Sequence, residues 1–372
     1  MAYRIQYIWF ILLLTVLTGC WDQRLLRDHS LILSTGYDKL PEEKIMNTVV
    51  YPRKSEQKDT FPQKSIVVST IGDTARDAKV HMDQRIAEKF DSSKSNVILL
   101  GEELAEGGVF PVLDSVYRDL RGPLNAHVAI IKGNAKDALS LQTEDGPLTS
   151  VYYSELLQSA EQAGLIKNHN VQDICPIILS EGKDIMMPYL SLITEENRAH
   201  VDGLAMFNED KYSGSLGMKE SSMFLILHDQ ITKKLSLNLK VNDDRKPNEK
   251  NYINIDVLHN KRKLKVKVVN GEIRAEIHLD LKLGVKEYPA DRLYRKKEVE
   301  RLNKKIQVEL QELAQTTLTE MQDANCDALG IGDKVKAFHN QKWKSIDWDK
   351  TYPEIPIETY FKVDIIQYGI IN

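Results

Sequence analysis

Apolar and polar positions change their spacing several times along the chain, and each change marks an element. Residues 31–38 and 44–51 are rich in aliphatic and β-branched side chains and flank the polar turn Leu40-Pro41-Glu42-Glu43, which predicts two strands. Residues 54–63 are polar and read as a loop, whereas 65–71 are β-branched and strand-like. Gly72-Asp73-Thr74 then opens a helix expected to run through Phe90, with Asp73 or Thr74 as cap. Ala75, Ala78, Met82, Ile86 and Phe90 give that helix one apolar face. Residues 96–100 make a short buried strand, 109–120 a helix, and 126–131 another strand. Asn134 caps a helix through Leu141, and 149–163 form one more, ended near Gly164. Strand and helix alternate, which predicts an α/β domain over 20–178.

Residues 165–184 lose the periodicity and contain Pro176, so a boundary is expected there. A small middle domain, 179–240, would hold strands at 187–194, 201–207 and 212–216, with a hairpin turn at 208–211. Residues 243–251 are charged, contain Pro247 and read as an exposed loop. The remainder, 241–372, has a clearer plan. Residues 261–269 alternate Lys263, Lys265 and Lys267 with Leu264, Val266 and Val268; Asn270-Gly271 signals a tight hairpin; and 273–285 alternate back. An amphipathic helix is expected over 291–323 and a closing strand over 357–368. The fold class read from this pattern is α+β, three mixed α/β domains of which the C-terminal one is an antiparallel sheet covered by a long helix. No repeat of solenoid length is visible.

The first twenty residues follow another logic. Arg4 is the only charge before Asp22, and residues 7–17 are apolar apart from Thr15. A positive start, a short apolar run and a small-residue end read as a secretory signal over 1–19. The run is too short for a bilayer, which needs about twenty residues. Leu17-Thr18-Gly19-Cys20 matches a lipobox: the small residues admit the processing enzymes, and the Cys20 thiolate takes a diacylglycerol. Two acyl chains anchor stably, at roughly 0.8 kcal/mol per buried methylene.

Composition alters this picture little. The formal net charge is −4, and one unit more negative without Arg4, which argues against nucleic acid as a partner. Two cysteines besides Cys20, Cys175 and Cys326, read better as separate buried thiols than as a bridge.

Candidate chemistry is sparse. There is no His-Glu-x-x-His, Walker loop or Gly-x-Ser-x-Gly, no cysteine pair has metal spacing, and no two of the nine histidines share a helix face. No catalytic residue, metal or cofactor is therefore expected. Glu102-Glu103 could do acid–base work but read better as a helix start, where carboxylates meet the positive dipole end. Ser215 has no helix-opening elbow around it. The basic run Arg292, Arg295, Lys296, Lys297, Arg301, Lys304 and Lys305 could face anionic headgroups, but Glu298, Glu300 and Glu309 interrupt it, which favours a solvated face. Trp343 and Trp348 could be partner anchors or pack under the final strand.

Several short pieces, in order, resemble the Ger(x)C family of spore germination lipoproteins, the C subunits of nutrient germinant receptors. Gly19-Cys20-Trp21-Asp22 is similar to the family's mature start, and Gly36-Tyr37-Asp38 to its Gly-x-Asp strand end. Gly101-Glu102-Glu103-Leu104-Ala105 resembles its interior motif, followed by Asp114 and by Arg118-Asp119. The segment 327–332 with Gly330, then Trp343 and Trp348, resembles the closing block. The stretch Gln23 to Asp28 departs from the family's acidic pattern. The resemblance implies a non-enzymatic, three-domain protein on the outer face of the spore inner membrane, assembled with a membrane-embedded A subunit and a transporter-like B subunit. The alternative is a solute-binding lipoprotein that hands a small nutrient to a permease, against which the antiparallel C-terminal pattern counts. A secreted hydrolase lacks the site motifs.

Overall fold

In the computed structural model, residues 29–52, 65–85, 89–141, 149–231 and 235–368 are described. The lipobox Leu17-Thr18-Gly19-Cys20 and the following Trp21 and Asp22 lie outside them.

The chain opens with β1 (His29–Leu31), β2 (Ser34–Leu40), β3 (Lys44–Pro52) and β4 (Ser65–Gly72). α1 (Ala75–Arg85) then buries Ala75, Ala78 and Met82, as its spacing predicts. It stops short of Phe90, which lies instead in β5 (Lys89–Asp91), parallel to β1. There its ring meets Tyr51 edge-on at 5.3 Å, beside Ile32, Val49 and Met82. β6 (Val97–Gly101), α2 (Glu102–Gly107), α3 (Phe110–Tyr117), β7 (His127–Ile131), α4 (Ala135–Leu139) and α5 (Thr149–Gln162) follow.

Residues 165–184 correct the expectation of a boundary, for they contain α6 (Val171–Ile178). Asn170 caps it by accepting the Asp173 N–H at 2.9 Å, and Val171, Ile174 and Cys175 are buried. Pro176 inside the helix had hidden that spacing.

β8 (Met186–Ile193), β9 (Arg198–Asn208) and β10 (Lys211–Leu216) do not form a separate middle unit either. They complete one eight-stranded sheet ordered β10-β9-β8-β7-β6-β2-β3-β4. The join is parallel, Ile130 opposite Tyr189 and Ile131 opposite Leu190. β2, β6, β7 and β8 form the parallel centre, with antiparallel wings on both sides. Central strand β6 is buried at every position, the composition that a sheet covered on both faces requires.

α7 (Met218–His228) has no amphipathic stripe because Ser221 to Leu227 are all buried. It packs on β9, on the long C-terminal helix and on the second sheet. That sheet, β11-β12-β13-β14, begins before the expected boundary at 241, with β11 (Ser236–Lys240) on β12 (Tyr252–Val269). Asn270 and Gly271, at φ +53° and +84°, turn β12 into β13 (Glu272–Glu287). Left-handed Asp291 and Arg292 delay α8 (Lys296–Asp323) beyond its expected start. α8 lays Leu302, Ile306, Leu310 and Leu318 over the sheet. It carries the chain back to the same end, so β14 (Ile357–Gln367) joins β13 in parallel, while the other two pairings are antiparallel. Between α8 and β14 lie α9 (Ile331–Phe338), α10 (Asn340–Trp343) and α11 (Trp348–Thr351). A single apolar cluster runs from Leu99 and Leu190 through Met223 and Phe224 to Ile277 and Leu310, so both sheets share one interior.

Candidate functional site

The motif residues fall into three local assemblies. The first lies at the carboxyl ends of β2 and β6, where open α/β sheets commonly hold ligands. Here the crevice is filled. The Asp38 carboxylate accepts the N–H groups of Ala135 at 2.6 Å and Lys136 at 2.9 Å, closing the start of α4. Gly101 makes room for it, since a Cβ there would stand 2.3 Å from Asp38 Oδ1. Burial pushes the Asp38 carboxyl up, and the two amides partly offset this. Glu102 accepts the Tyr189 hydroxyl at 2.5 Å, and Tyr189 stacks on Tyr212 at 5.7 Å. Glu103, also in the first turn of α2, is exposed. Glu102 thus holds α2 to β8.

The second assembly ties α3 to α1. Arg118 Nε donates to both oxygens of Asp114, at 2.8 and 2.9 Å, one helical turn apart on the surface. Asp119 accepts from Lys79 at 3.2 Å, Arg76 at 3.3 Å and the Arg121 N–H at 3.1 Å. Burial pushes the Asp119 carboxyl up, but the amide and the two cations outweigh it and hold it below the usual range.

The third assembly joins the two halves of the molecule. The Asp327 carboxylate, fully buried, accepts the Ile331 N–H at 2.9 Å and the Gly332 N–H at 2.7 Å. Left-handed Gly330, φ +74°, makes the turn that brings them back. The Asp184 carboxylate accepts the Asp327 N–H at 2.7 Å and the Glu209 N–H at 2.9 Å. Burial pushes Asp184 up to about 6 and Asp327 well above the usual range. A Cβ on Gly332 would come 2.8 Å from both the Gly182 carbonyl and the Trp348 ring, so the junction is closely packed.

Beside this junction opens a cleft of about 550 Å³. Trp343 and Trp348, 5.3 Å apart, line it with Phe110, Ile178, Leu179 and Ile346. Six carboxylates, Ser180 and one lysine, Lys183, complete the lining. Sequence reasoning singled out the two tryptophans and missed Asp184, Glu209 and Asp210, which lie in strand ends and turns with no local motif.

The remaining candidates have structural explanations. Cys175 and Cys326 are buried and unpaired, and burial pushes the Cys175 thiol up to about 11, away from reactivity. Ser215 lies in β10. In the basic run, Arg301 is bound to Glu298 at 2.9 Å and to the Tyr288 hydroxyl at 3.0 Å. Among the described residues no group of histidine, cysteine and carboxylate side chains could hold a metal ion.

Two family models match nearly end to end. Residues 22–192 match the spore germination protein N-terminal domain, and 202–369 the spore germination B3/GerAC-like C-terminal domain. Spore germination protein GerQC of Bacillus cereus is 21% identical over 98% of this chain and 99% of its own. Spore germination protein KC of Bacillus subtilis (strain 168) is 24% identical over 97% and 95%. The crystal structure of the GerBC protein superposes with a TM-score of 0.54 at 17% identity, covering 89% of this chain and 96% of the other, a likeness of fold.

Proposed function

The chain belongs to the GerAC-like family of spore germination proteins, and on that premise we propose that it is the lipid-anchored C subunit of a nutrient germinant receptor. The observation that carries the reading is the order of its parts: a lipobox ending at Cys20, then two germination domains that fill the rest of the chain. Among the described residues no helix is long and apolar enough to cross a membrane, so the proposal assigns attachment to a diacylglycerol on Cys20. The body would then stand on the outer face of the spore inner membrane. Tethering raises its effective concentration toward membrane-embedded A and B subunits.

The proposed role is non-enzymatic scaffolding. Among the acidic residues of the motifs, Glu102, Asp114 and Asp119 are engaged in bonds that hold helices in place, while Glu103 is exposed. The test is the intact mass of the protein extracted from spore membranes. Residues 20–372 plus a diacylglycerol are expected; Cys20→Ala should release the chain, lose the A and B subunits on purification and slow germination. Normal germination with a released, unlipidated chain would overturn the proposal.

A further inference from the structure

The cleft beside Trp343 and Trp348 is lined by two incompatible kinds of surface. Its apolar part, including Leu179 at 64% exposure, gains by being covered. Its rim is acidic and only partly compensated. Glu181 is paired with Lys336 at 2.9 Å and Asp347 with Lys350 at 2.8 Å, and Asp210 accepts the Phe110 N–H at 3.1 Å. The exposed carboxylates of Glu209 and Asp349 have no hydrogen bond or ion pair among the described residues. Lys183, the one cation in the lining, runs its stem along Gly330.

An apolar cover alone would take Glu209 and Asp349 out of water without a counter-charge, which costs more than the apolar contact returns. An acidic cover, or an anionic headgroup layer, would be repelled. A cover that brings its own cations satisfies both surfaces. The site already shows half of that arrangement, for Lys336 Nζ stands 5.9 Å from the Trp343 ring centre.

We propose that this cleft docks a segment of a partner protein that presents Arg or Lys beside an apolar or aromatic side chain. The apolar side chain sits against the two tryptophans, and the cation meets Glu209 and Asp349. Only the identity of the supplier, another receptor subunit, rests on the function proposed above.

The test uses the full-length protein in detergent and the peptide acetyl-Leu-Arg-Phe-Arg-Leu-amide, followed by tryptophan fluorescence. A saturable change is expected, smaller in Trp343→Phe, where Trp348 alone reports from the cleft, and weakened about tenfold in affinity in Glu209→Gln/Asp349→Asn, whose exposed amides leave the fold intact by circular dichroism. Added salt should weaken it likewise. No saturable change, an equal response to the peptide with Glu in place of Arg, or undiminished binding by the double variant would overturn the proposal. The titration needs no receptor, so its failure would leave the Cys20 test untouched, and failure of the Cys20 test would leave the cleft chemistry standing.

Discussion

Asp184 and Asp327 hold each other's backbone: the Asp327 N–H donates to Asp184 Oδ2 at 2.7 Å, and the Asp184 N–H to the Asp327 carbonyl at 3.2 Å. The pair closes the seam between the end of α8 and the start of β8. The Asp327 carboxylate also satisfies the Ile331 and Gly332 amides, which would otherwise be buried without partners, and the Asp184 carboxylate accepts the exposed Glu209 N–H.

Asp327→Ala should therefore destabilise the protein by about 2–4 kcal/mol, because two buried N–H groups lose their acceptor. Asp327→Asn keeps one acceptor oxygen and should lose less. Denaturant midpoints of the purified protein measure both, and an alanine variant within about 0.5 kcal/mol of wild type would show that the turn at Gly330 holds itself.

The seam also carries a pH signature. The folded pKa of Asp184, about 6, lies above its ordinary 3.8, so the folded state keeps this proton to higher pH than the unfolded chain. That contribution is complete below about pH 4 and is lost as pH rises through about 6. His169 and His228 act oppositely: burial pushes them down to about 4 and about 3, so stability is lost as pH falls below about 6.5. Between about pH 5 and pH 7.5 the two trends compete. Asp184→Asn should make the protein gain more stability, or lose less, on going from the lower pH to the higher than wild type does. His228→Gln should shift the balance the other way. Equal midpoint differences in all three proteins would refute the assignment.

Gly101→Ala should cost about 2 kcal/mol by driving a methyl group into Asp38 Oδ1 and breaking the closure of α4. Combined with Asp38→Ala, which already removes that carboxylate, it should cost clearly less than the sum of the two. A double-mutant cycle by thermal unfolding decides this; additive losses would mean the two residues act separately.

Both described cysteines should resist iodoacetamide in the native protein and react once it is unfolded, because each is buried with its thiol pushed up. Mass spectrometry after native and denatured labelling gives the answer. Native labelling of Cys326, which is fully buried, would indicate local opening at the seam.

Strict alternation made β13 legible, and Asn270-Gly271 fixed its partner, because a half-covered sheet imposes a period of two on the sequence. α8 was legible for the same reason at its own period. α7 was not, since a helix covered on all sides leaves no stripe to read. The eight-stranded sheet hid its continuity behind a proline-bearing helix. The contact of Asp327 with Asp184 spans 143 positions; Asp327 opens the closing block that the sequence marks, but no local motif announces Asp184 as its partner. The tryptophans of the cleft were visible as residues, but four of the acids facing them come from two distant turns, 181–184 and 209–210, while Asp347 and Asp349 flank Trp348 itself.

A helix without a polar face has mechanical meaning. α7 touches both sheets through side chains that have no alternative contact with water, so neither sheet can slide or tilt against it without exposing apolar surface. A push delivered to the rim of one sheet is therefore resisted at α7 by the apolar surface that any sliding of the two sheets would have to expose.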